Sequence, residues 1–469
     1  MSKKLAVALG IMIILGIIIF TIPQLIGKDI SLMMKISAFI LVSIYIVLSF
    51  ELIHRGSLAL LGAAVIVGVA MILDSIPPDD GIDFIIESVD FNTIGLLLGM
   101  MILVAILGET GIFYWVGIKA NKLSKGNLWK LMVLLCTFTA ISSMFIDNVT
   151  TILLMVPVTL SIVRTLNVSP IPFILSQVLV SNVGGAATLI GDPPNIIIGS
   201  AANIDFNSFL IYMGPVIGIV FLVSMLFLKF YYRKELKVDV DKTGLSQIEE
   251  GSVIKNKNML IKSMAVLTGV IILFTMHGSI HVDVAIIALG GAAVLLVLSR
   301  APLEKVLHEV DWATLLFFTG LFIIVGVVEH SGLIEKLAIT ALNITGGDPW
   351  ITFIMVIWIS AISSAFVDNI PFTATMIPLI KTLNIDPNIA ESFGNREISP
   401  LWWALALGAD LGGNGTLIGS SAGLVAVGLS AKFGYPISFN KWFKIGFPFM
   451  IVTLIVGTII LPLYLMVVI

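Results

Sequence analysis

The chain has 469 residues, 58% of them apolar and only 12% charged, with a formal net charge of −3 and a mean hydropathy of +1.09. A soluble domain carries about 25% charged and about 45–50% apolar residues, so an ordinary globular protein is excluded, and the near-neutral charge names no polyelectrolyte partner. One cysteine, Cys136, excludes an intrachain disulfide and a cysteine-based metal site. Five scattered histidines, no HExxH and no nucleic-acid motif leave an all-α polytopic membrane protein.

In chain order, apolar segments fall near 5–27, 33–50, 57–73, 91–118, 128–166, 170–203, 207–229, 259–276, 282–299, 312–342, 349–384, 400–431 and 444–468. The first follows Lys3 and Lys4. It is long for the apolar core of a signal peptide and no A-x-A site follows it, so a first membrane helix is expected. Basic residues cluster at Lys119–Lys130, in the polar stretch 230–258 and at Lys432–Lys444, whereas Asp74–Asp90 is acidic. By the positive-inside rule the basic clusters are cytoplasmic and the acidic stretch is outside. That scheme requires 128–166 and 349–384 to enter and leave on one side, as re-entrant hairpins. It predicts about 11 transmembrane helices plus two hairpins, with the N-terminus inside and the C-terminus outside.

The chain repeats itself. ISSMFIDNV from Ile141 returns as ISSAFVDNI from Ile362, 221 residues on, and at the same offset DFNTIGLLLG from Asp90 matches DWATLLFFTG from Asp311. NVGGAATLIG from Asn182 returns as DLGGNGTLIG from Asp410, 228 residues on. Segment 57–73 runs inside to outside while its partner 282–299 runs outside to inside, so the repeat is inverted, as in many secondary transporters. The expected organisation is N-terminal scaffold helices 1–56, a first repeat 57–229, a cytoplasmic linker 230–258, a second repeat 259–443 and a C-terminal helix 444–469.

SNVGGAATLIGDPPNIIIGSAA, residues 181–202, cannot run as one lipid-facing helix: Pro193 and Pro194 lack amide donors and Gly184, Gly185 and Gly191 weaken the helix. Broken backbone survives at membrane depth only inside protein or beside water, where freed carbonyls and half-helix ends meet ions. Gly412–Thr416 repeats the break without the prolines. Asp147-Asn148 and Asp368-Asn369 sit mid-hairpin, and each carboxylate there costs about 2.5–3.5 kcal/mol on insertion scales. Each hairpin tip is expected to meet the broken helix of its own half. One cluster comprises Asp147, Asn148, Asn182 and Thr188, with Thr150, Gly184, Gly185, Asp192 and Asn195 nearby. The other comprises Asp368, Asn369, Asp410, Asn414 and Thr416, with Thr373 and Gly413. Hard oxygen ligands suit Na⁺, expected at Asp147, Asn148, Asp368 and Asn369, or a proton on an Asp. Other roles stand beside these. Thr150, Thr151, Thr373 and Thr375 can bond neighbouring helices, Asp192 can cap the half-helix that starts at Pro193, and Glu109 and Glu329 suit interfacial positions.

NVGGAATLIGDPPNIIIGSAA, FIDNVTTILLMVPVTL, FVDNIPFTATMIPLI and LGGNGTLIGSSAGLVAVGLS resemble the ion transporter superfamily, closest to the group containing melanosomal P-protein-like, ArsB-type arsenite permease and NhaD-type members, with a citrate-transporter-like domain. The likeness runs from about residue 57 to the end. It implies a scaffold domain, a moving transport domain of two hairpins and two broken helices, a homodimer and elevator-type movement. The lack of a large lumenal region favours a prokaryotic plasma membrane. Dicarboxylate members carry Ser-Asn-Thr at the hairpin tips, where this chain reads Asp147-Asn148-Val149 and Asp368-Asn369-Ile370. Two added carboxylates repel a dicarboxylate unless they are protonated or paired. The resemblance therefore implies an H⁺- or Na⁺-coupled carrier of a small inorganic ion or oxyacid, by arsenite/antimonite-type efflux or Na⁺/H⁺-type exchange. The alternatives are a sodium-coupled organic anion carrier and an ion channel on the same frame. An intramembrane hydrolase, suggested by GSSAG at 419–423, lacks the strand–turn–helix context that motif needs. No cofactor other than the coupling ion is expected, and an associated ATPase subunit, known for some arsenite pumps, is left open.

Overall fold

The computed structural model describes residues 3–25, 30–50, 52–237, 253–393 and 398–468, all helix and turn, with no strand among the described residues. Among the described residues ten helices are long and apolar enough to cross a membrane. That group includes both arms of the first hairpin and the first arm of the second, because 18 residues of mixed apolar helix at 1.5 Å per residue reach about 27 Å whether or not they cross. Most of the linker, 238–252, lies outside the described residues.

Several boundaries differ from the sequence reading. The run 91–118 is two helices, Phe91–Glu109 and Ile112–Ser124. The run 312–342 is likewise Trp312–His330 and Leu333–Thr345. Gly111 (φ +86°) and Gly332 (φ +77°) start the second member of each pair in the left-handed region, which glycine enters without a Cβ clash. The last helix begins at Phe439, not 444, and runs to Val468. Short helices Gly81–Ser88 and Leu303–Glu309 precede Asp90 and Asp311, and each of those aspartates caps the helix that follows through a threonine amide three residues on.

The repeat is visible as paired contacts. Helix Phe91–Glu109 packs most extensively on Val284–Ser299 from the other half, and Trp312–His330 packs on Arg55–Ile72. Gly99 and its counterpart Gly320 lie where these pairs cross. A Cβ on Gly99 would sit 2.5 Å from the Ala288 carbonyl carbon, and one on Gly320 would sit 2.5 Å from that of Ala59. Small residues of this kind let membrane helices approach backbone to backbone.

The same contacts establish the inversion. Lys305, just past the end of Val284–Ser299, pairs with Glu109 at the end of Phe91–Glu109 (2.8 Å), which gives Glu109 the interfacial role expected of it. Arg55, at the start of Arg55–Ile72, meets Asp311 at the start of Trp312–His330 (3.3 Å). These four residues gather on one face, together with Glu309. At the opposite face Asn92 accepts a bond from the Ala285 amide (3.2 Å), and His330 meets the Ser75 carbonyl (2.8 Å). Helix Arg55–Ile72 thus begins on the face where its counterpart Val284–Ser299 ends.

Gly99→Val and Gly320→Val are each expected to destabilise the protein by about 1–3 kcal/mol through overpacking against backbone. Gly68→Val, where an added Cβ meets nothing within 4 Å, is the control. Thermal unfolding of purified protein in detergent checks the ranking, and a Gly99→Val melt equal to that of Gly68→Val contradicts it.

Candidate functional site

Each hairpin turns on two residues in extended backbone. Ile146 (φ −134°, ψ 136°) ends the arm Leu128–Phe145, and the Asp147 side chain accepts from the Thr150 amide to start Asn148–Thr165. Val367 (φ −115°, ψ 134°) and Asp368, which accepts from the Ile370 amide, do the same between Pro349–Phe366 and Asn369–Asn384. A β-branched residue resists the helical rotamer and the following Asp caps the next helix, so the tips are encoded locally.

The broken helices are Ile171–Gly185 followed by Pro193–Ala202, and Pro400–Gly412 followed by Ser421–Lys432. Each seats against its own hairpin through close backbone approach. An added Cβ on Gly184 would lie 2.3 Å from the Ala140 oxygen, and one on Gly412 would lie 2.4 Å from that of Ala361. An added Cβ on Gly185 would lie 2.7 Å from the Gly191 oxygen across its break, and one on Gly413 would lie 2.9 Å from that of Gly419. Gly184, Gly185 and Gly413, expected at the site, therefore serve approach and closure. Thr188 donates to the Met144 carbonyl and Thr416 to that of Ala365, equivalent bonds from break to hairpin that occupy both hydroxyls. The carbonyls freed by the first break are taken by Asn195, which donates to Gly185 (3.2 Å) and Thr188 (3.1 Å). In the second break Trp442, from the last helix, donates to the Asn414 carbonyl (3.2 Å).

The asparagines of the two expected clusters join in one network. Asn148 donates to Asn182 (3.1 Å) and to one oxygen of Asp192 (2.6 Å). Asn369, from the other repeat, donates to the second oxygen of Asp192 (3.2 Å). Asn182 donates to Asn414 (3.0 Å) and accepts from Ser420 (3.2 Å). All six side chains are buried. Asp192 stands at the N-cap position of Pro193–Ala202 but makes no capping bond. Its lone pairs go to the two tip asparagines, so the capping role is replaced by a bridging one.

Asp147 and Asp368 do not join this network. Each lines a cavity while its neighbouring Asn bonds into the buried network. Asp147 and Thr150 line a cavity of about 360 Å³ with Arg55, Glu109, Glu309, Asp311 and Ser421. Asp368 lines a neighbouring one of about 470 Å³ with Arg55, Phe317 and Ser421. Ser421 donates to Asp368 (2.7 Å) and accepts from Arg55 (2.6 Å). Arg55 also reaches Thr314 (2.7 Å). Thr373 donates to the Asn369 carbonyl one turn back (2.8 Å), and Thr375 bonds Pro371 and Tyr45. Asp410 is fully buried and neither of its oxygens has a hydrogen-bond partner among the described residues. Arg55, Ser420, Ser421 and Trp442 were not singled out by the sequence reading. Ser420 and Ser421 stand 228 residues after Asp192 and Pro193, so the repeat alignment carried their signal, whereas Arg55 and Trp442 had none.

An all-helical, multi-pass chain whose inverted halves bring two hairpin tips onto interrupted helices is a membrane transporter. Residues 45–408 match the citrate transporter family, and the chain belongs to that family. It is 40% identical over 359 residues to an uncharacterized transporter of Mycobacterium tuberculosis, covering 76% of this chain and 82% of that one. It is 38% identical over 451 residues to the P protein of Sus scrofa, covering 80% of this chain and 53% of the relative, so it spans about half of that protein's length. The fold is shared with the Alcanivorax borkumensis YdaH transporter at a TM-score of 0.57 and 13% identity, covering 88% and 98% of the two chains.

Asn148→Ala and Asn369→Ala each strand one oxygen of a buried carboxylate, which costs about 1–3 kcal/mol. Both are expected to lower the unfolding temperature and transport more than Thr150→Ala. Equal losses for all three would remove Asp192 from the centre of the site.

Proposed function

We propose that this protein is a secondary active transporter, coupled to H⁺ or Na⁺, that carries a small inorganic ion or oxyacid by elevator-like alternating access. The observation that carries this reading is the grip of both hairpin tips, one from each repeat, on the Asp192 carboxylate in an interrupted crossing helix. Such a site lies on the pseudo-symmetry axis, where exchanging the conformations of two inverted halves exchanges access. In this reading the moving body comprises the hairpins and broken helices. The scaffold comprises the crossed pairs formed by Arg55–Ile72, Phe91–Glu109, Val284–Ser299 and Trp312–His330.

The basic clusters orient the chain with its N-terminus in the cytoplasm and its C-terminus outside, in a prokaryotic plasma membrane. The cavities at Asp147 and Asp368, bordered by Arg55 and Asp311 at helix starts, then open inward. The first cavity sets Asp147, Glu309 and Asp311 against Arg55, with Glu109 held by Lys305. Like charges disfavour a bare polyanion there and favour a cation or a neutral oxyacid. A second reading, a sodium-coupled organic anion carrier, is favoured by the family match and by Arg55, whose guanidinium fork suits a carboxylate. The resemblance to elevator carriers supports a homodimer.

Proteoliposomes under an imposed pH or Na⁺ gradient test the function, with arsenite, antimonite, Na⁺ and citrate as solutes. Gradient-driven, saturable flux of arsenite, antimonite or Na⁺ is expected. Citrate flux alone selects the second reading, and no flux of any solute in either gradient defeats both. Asp147→Asn and Asp368→Asn are expected to change the KM for the carried solute by about tenfold, the effect of about 1.4 kcal/mol of lost binding, with little change in unfolding temperature. Wild-type kinetics in both variants would make these carboxylates structural.

A further inference from the structure

The repeat gives a measure of what Asp410 lacks. Its counterpart, Asn182, is held by three polar side chains: Asn148, Ser420 and Asn414. Advancing each partner to its own counterpart places Asn369, Asp192 and Ala186 around Asp410. One partner has become an alanine that offers nothing, and another has become a second carboxylate. Helix Pro193–Ala202, which follows directly on Asp192, packs on Pro400–Gly412, which carries Asp410, and both carboxylates are buried. Asn369 spends its amide on Asp192 (3.2 Å), so Asp410 keeps no donor.

A second set of unpartnered atoms lies at the same place. Asn195 stands in the first turn of Pro193–Ala202, the helix packed on Pro400–Gly412, which carries Asp410. Its nitrogen is committed to the Gly185 and Thr188 carbonyls, while its oxygen is buried without a partner. Buried polar atoms in native proteins are satisfied, by protein, water or an ion, and three orphaned oxygens beside a bonded carboxylate form a donor set without a charge to bind. Among the described residues no side-chain cation answers it. The helices packed on Pro400–Gly412 are Ile171–Gly185, Pro193–Ala202, Pro349–Phe366, Asn369–Asn384 and Phe439–Val468. Their basic residues are Lys381, Lys441 and Lys444, in the last turns of one helix and the first turns of another. The other charged groups acting on the pair are the tip carboxylates Asp368 and Asp147.

We propose that Asp192 and Asp410, completed by the Asn195 oxygen, bind one monovalent cation, a sodium ion or a proton, and that this pair rather than the hairpin carboxylates carries the coupling charge. One positive charge neutralises the pair and satisfies the orphaned oxygens. Entry is short, because Pro193, the residue after Asp192, lines the 360 Å³ cavity. The hairpin asparagines that hold Asp192 then sense whether the pair is filled. Hard oxygen donors suit sodium, and a shared proton is the alternative for two facing carboxyls.

This inference deepens the transport reading and rests on it for the word coupling, but the site is tested without transport. Purified full-length protein is melted in NaCl against choline chloride at constant ionic strength, since a ligand that binds only the folded state raises the unfolding temperature. The infrared carbonyl band of a protonated carboxylic acid is recorded in parallel. A saturable sodium-dependent rise in the wild type that Asp410→Asn abolishes, and that Asp192→Asn weakens at least tenfold in apparent affinity, assigns sodium. No sodium effect, with an acid band that either variant removes, assigns a proton. In both cases Asp147→Asn keeps the response. A sodium rise unchanged in both variants overturns the proposal, as does the absence of both signals in wild type. Should Asp410→Asn not fold, Asp192→Asn carries the same test alone. Cation binding without flux would defeat the transport reading and leave the site, whereas flux with a cation response indifferent to both variants would do the reverse.

Discussion

A carboxylate buried at membrane depth must be paid for by specific partners, and Asp192 finds them in Asn148 and Asn369, one amide for each oxygen. Those amides come from opposite halves of the chain. The bond pair therefore fixes more than a side chain. It holds two hairpin tips and one interrupted helix at a common point, and the Asn182–Asn414 bond (3.0 Å) ties in the second interrupted helix. Unpaired, each of these groups would carry a desolvation penalty of about 1–3 kcal/mol or more. The tips can meet here only because glycine at 184 and 412 lets each hairpin lie on backbone.

Much of this was legible in the sequence, for identifiable reasons. Spans announce themselves by length and hydropathy, and an inverted repeat announces itself when identical words recur in order. Asp-Asn at each tip was visible because a carboxylate is rare in such surroundings. The direction in which neighbouring side chains point was not visible. Asp147 and Asn148 are adjacent, yet one faces a cavity and the other the buried network, because the helix that starts at Asn148 turns each successive residue through about 100°. The bond from Asn369 to Asp192 of the other half was hidden for a related reason. A two-fold axis places the two breaks side by side, so the nearest partner of a break residue often belongs to the other half.

The helix ends show the same limit on a smaller scale. The runs 91–118 and 312–342 read as continuous because hydropathy carries on across Gly111 and Gly332. What ends each helix is the positive φ of the glycine, a backbone property that an apolar run conceals. Arg55 escaped notice because an arginine at a span end is ordinary under the positive-inside rule. Its contacts with Ser421, Thr314 and Asp311 join segments more than 250 residues apart, which no local pattern reports.

The repeat is symmetric in frame and asymmetric in chemistry, and the difference bears on how such a protein can work. Contacts that build each body recur in both halves: Thr188 with Met144 and Thr416 with Ala365, or Gly99 on Ala288 and Gly320 on Ala59. Apart from the tip asparagines, the groups that face the centre do not recur. Asp192 is matched by Ser420, Asn182 by Asp410 and Asn195 by Gly423. A carrier needs two conformations of nearly equal free energy, so that a bound solute can shift the balance. A conserved frame makes the two conformations near mirror images. Unlike central groups give them different electrostatics, so that one charge at the axis decides which is preferred. On the proposed mechanism the symmetric glycine and threonine contacts supply reversibility, and the unequal acids supply direction.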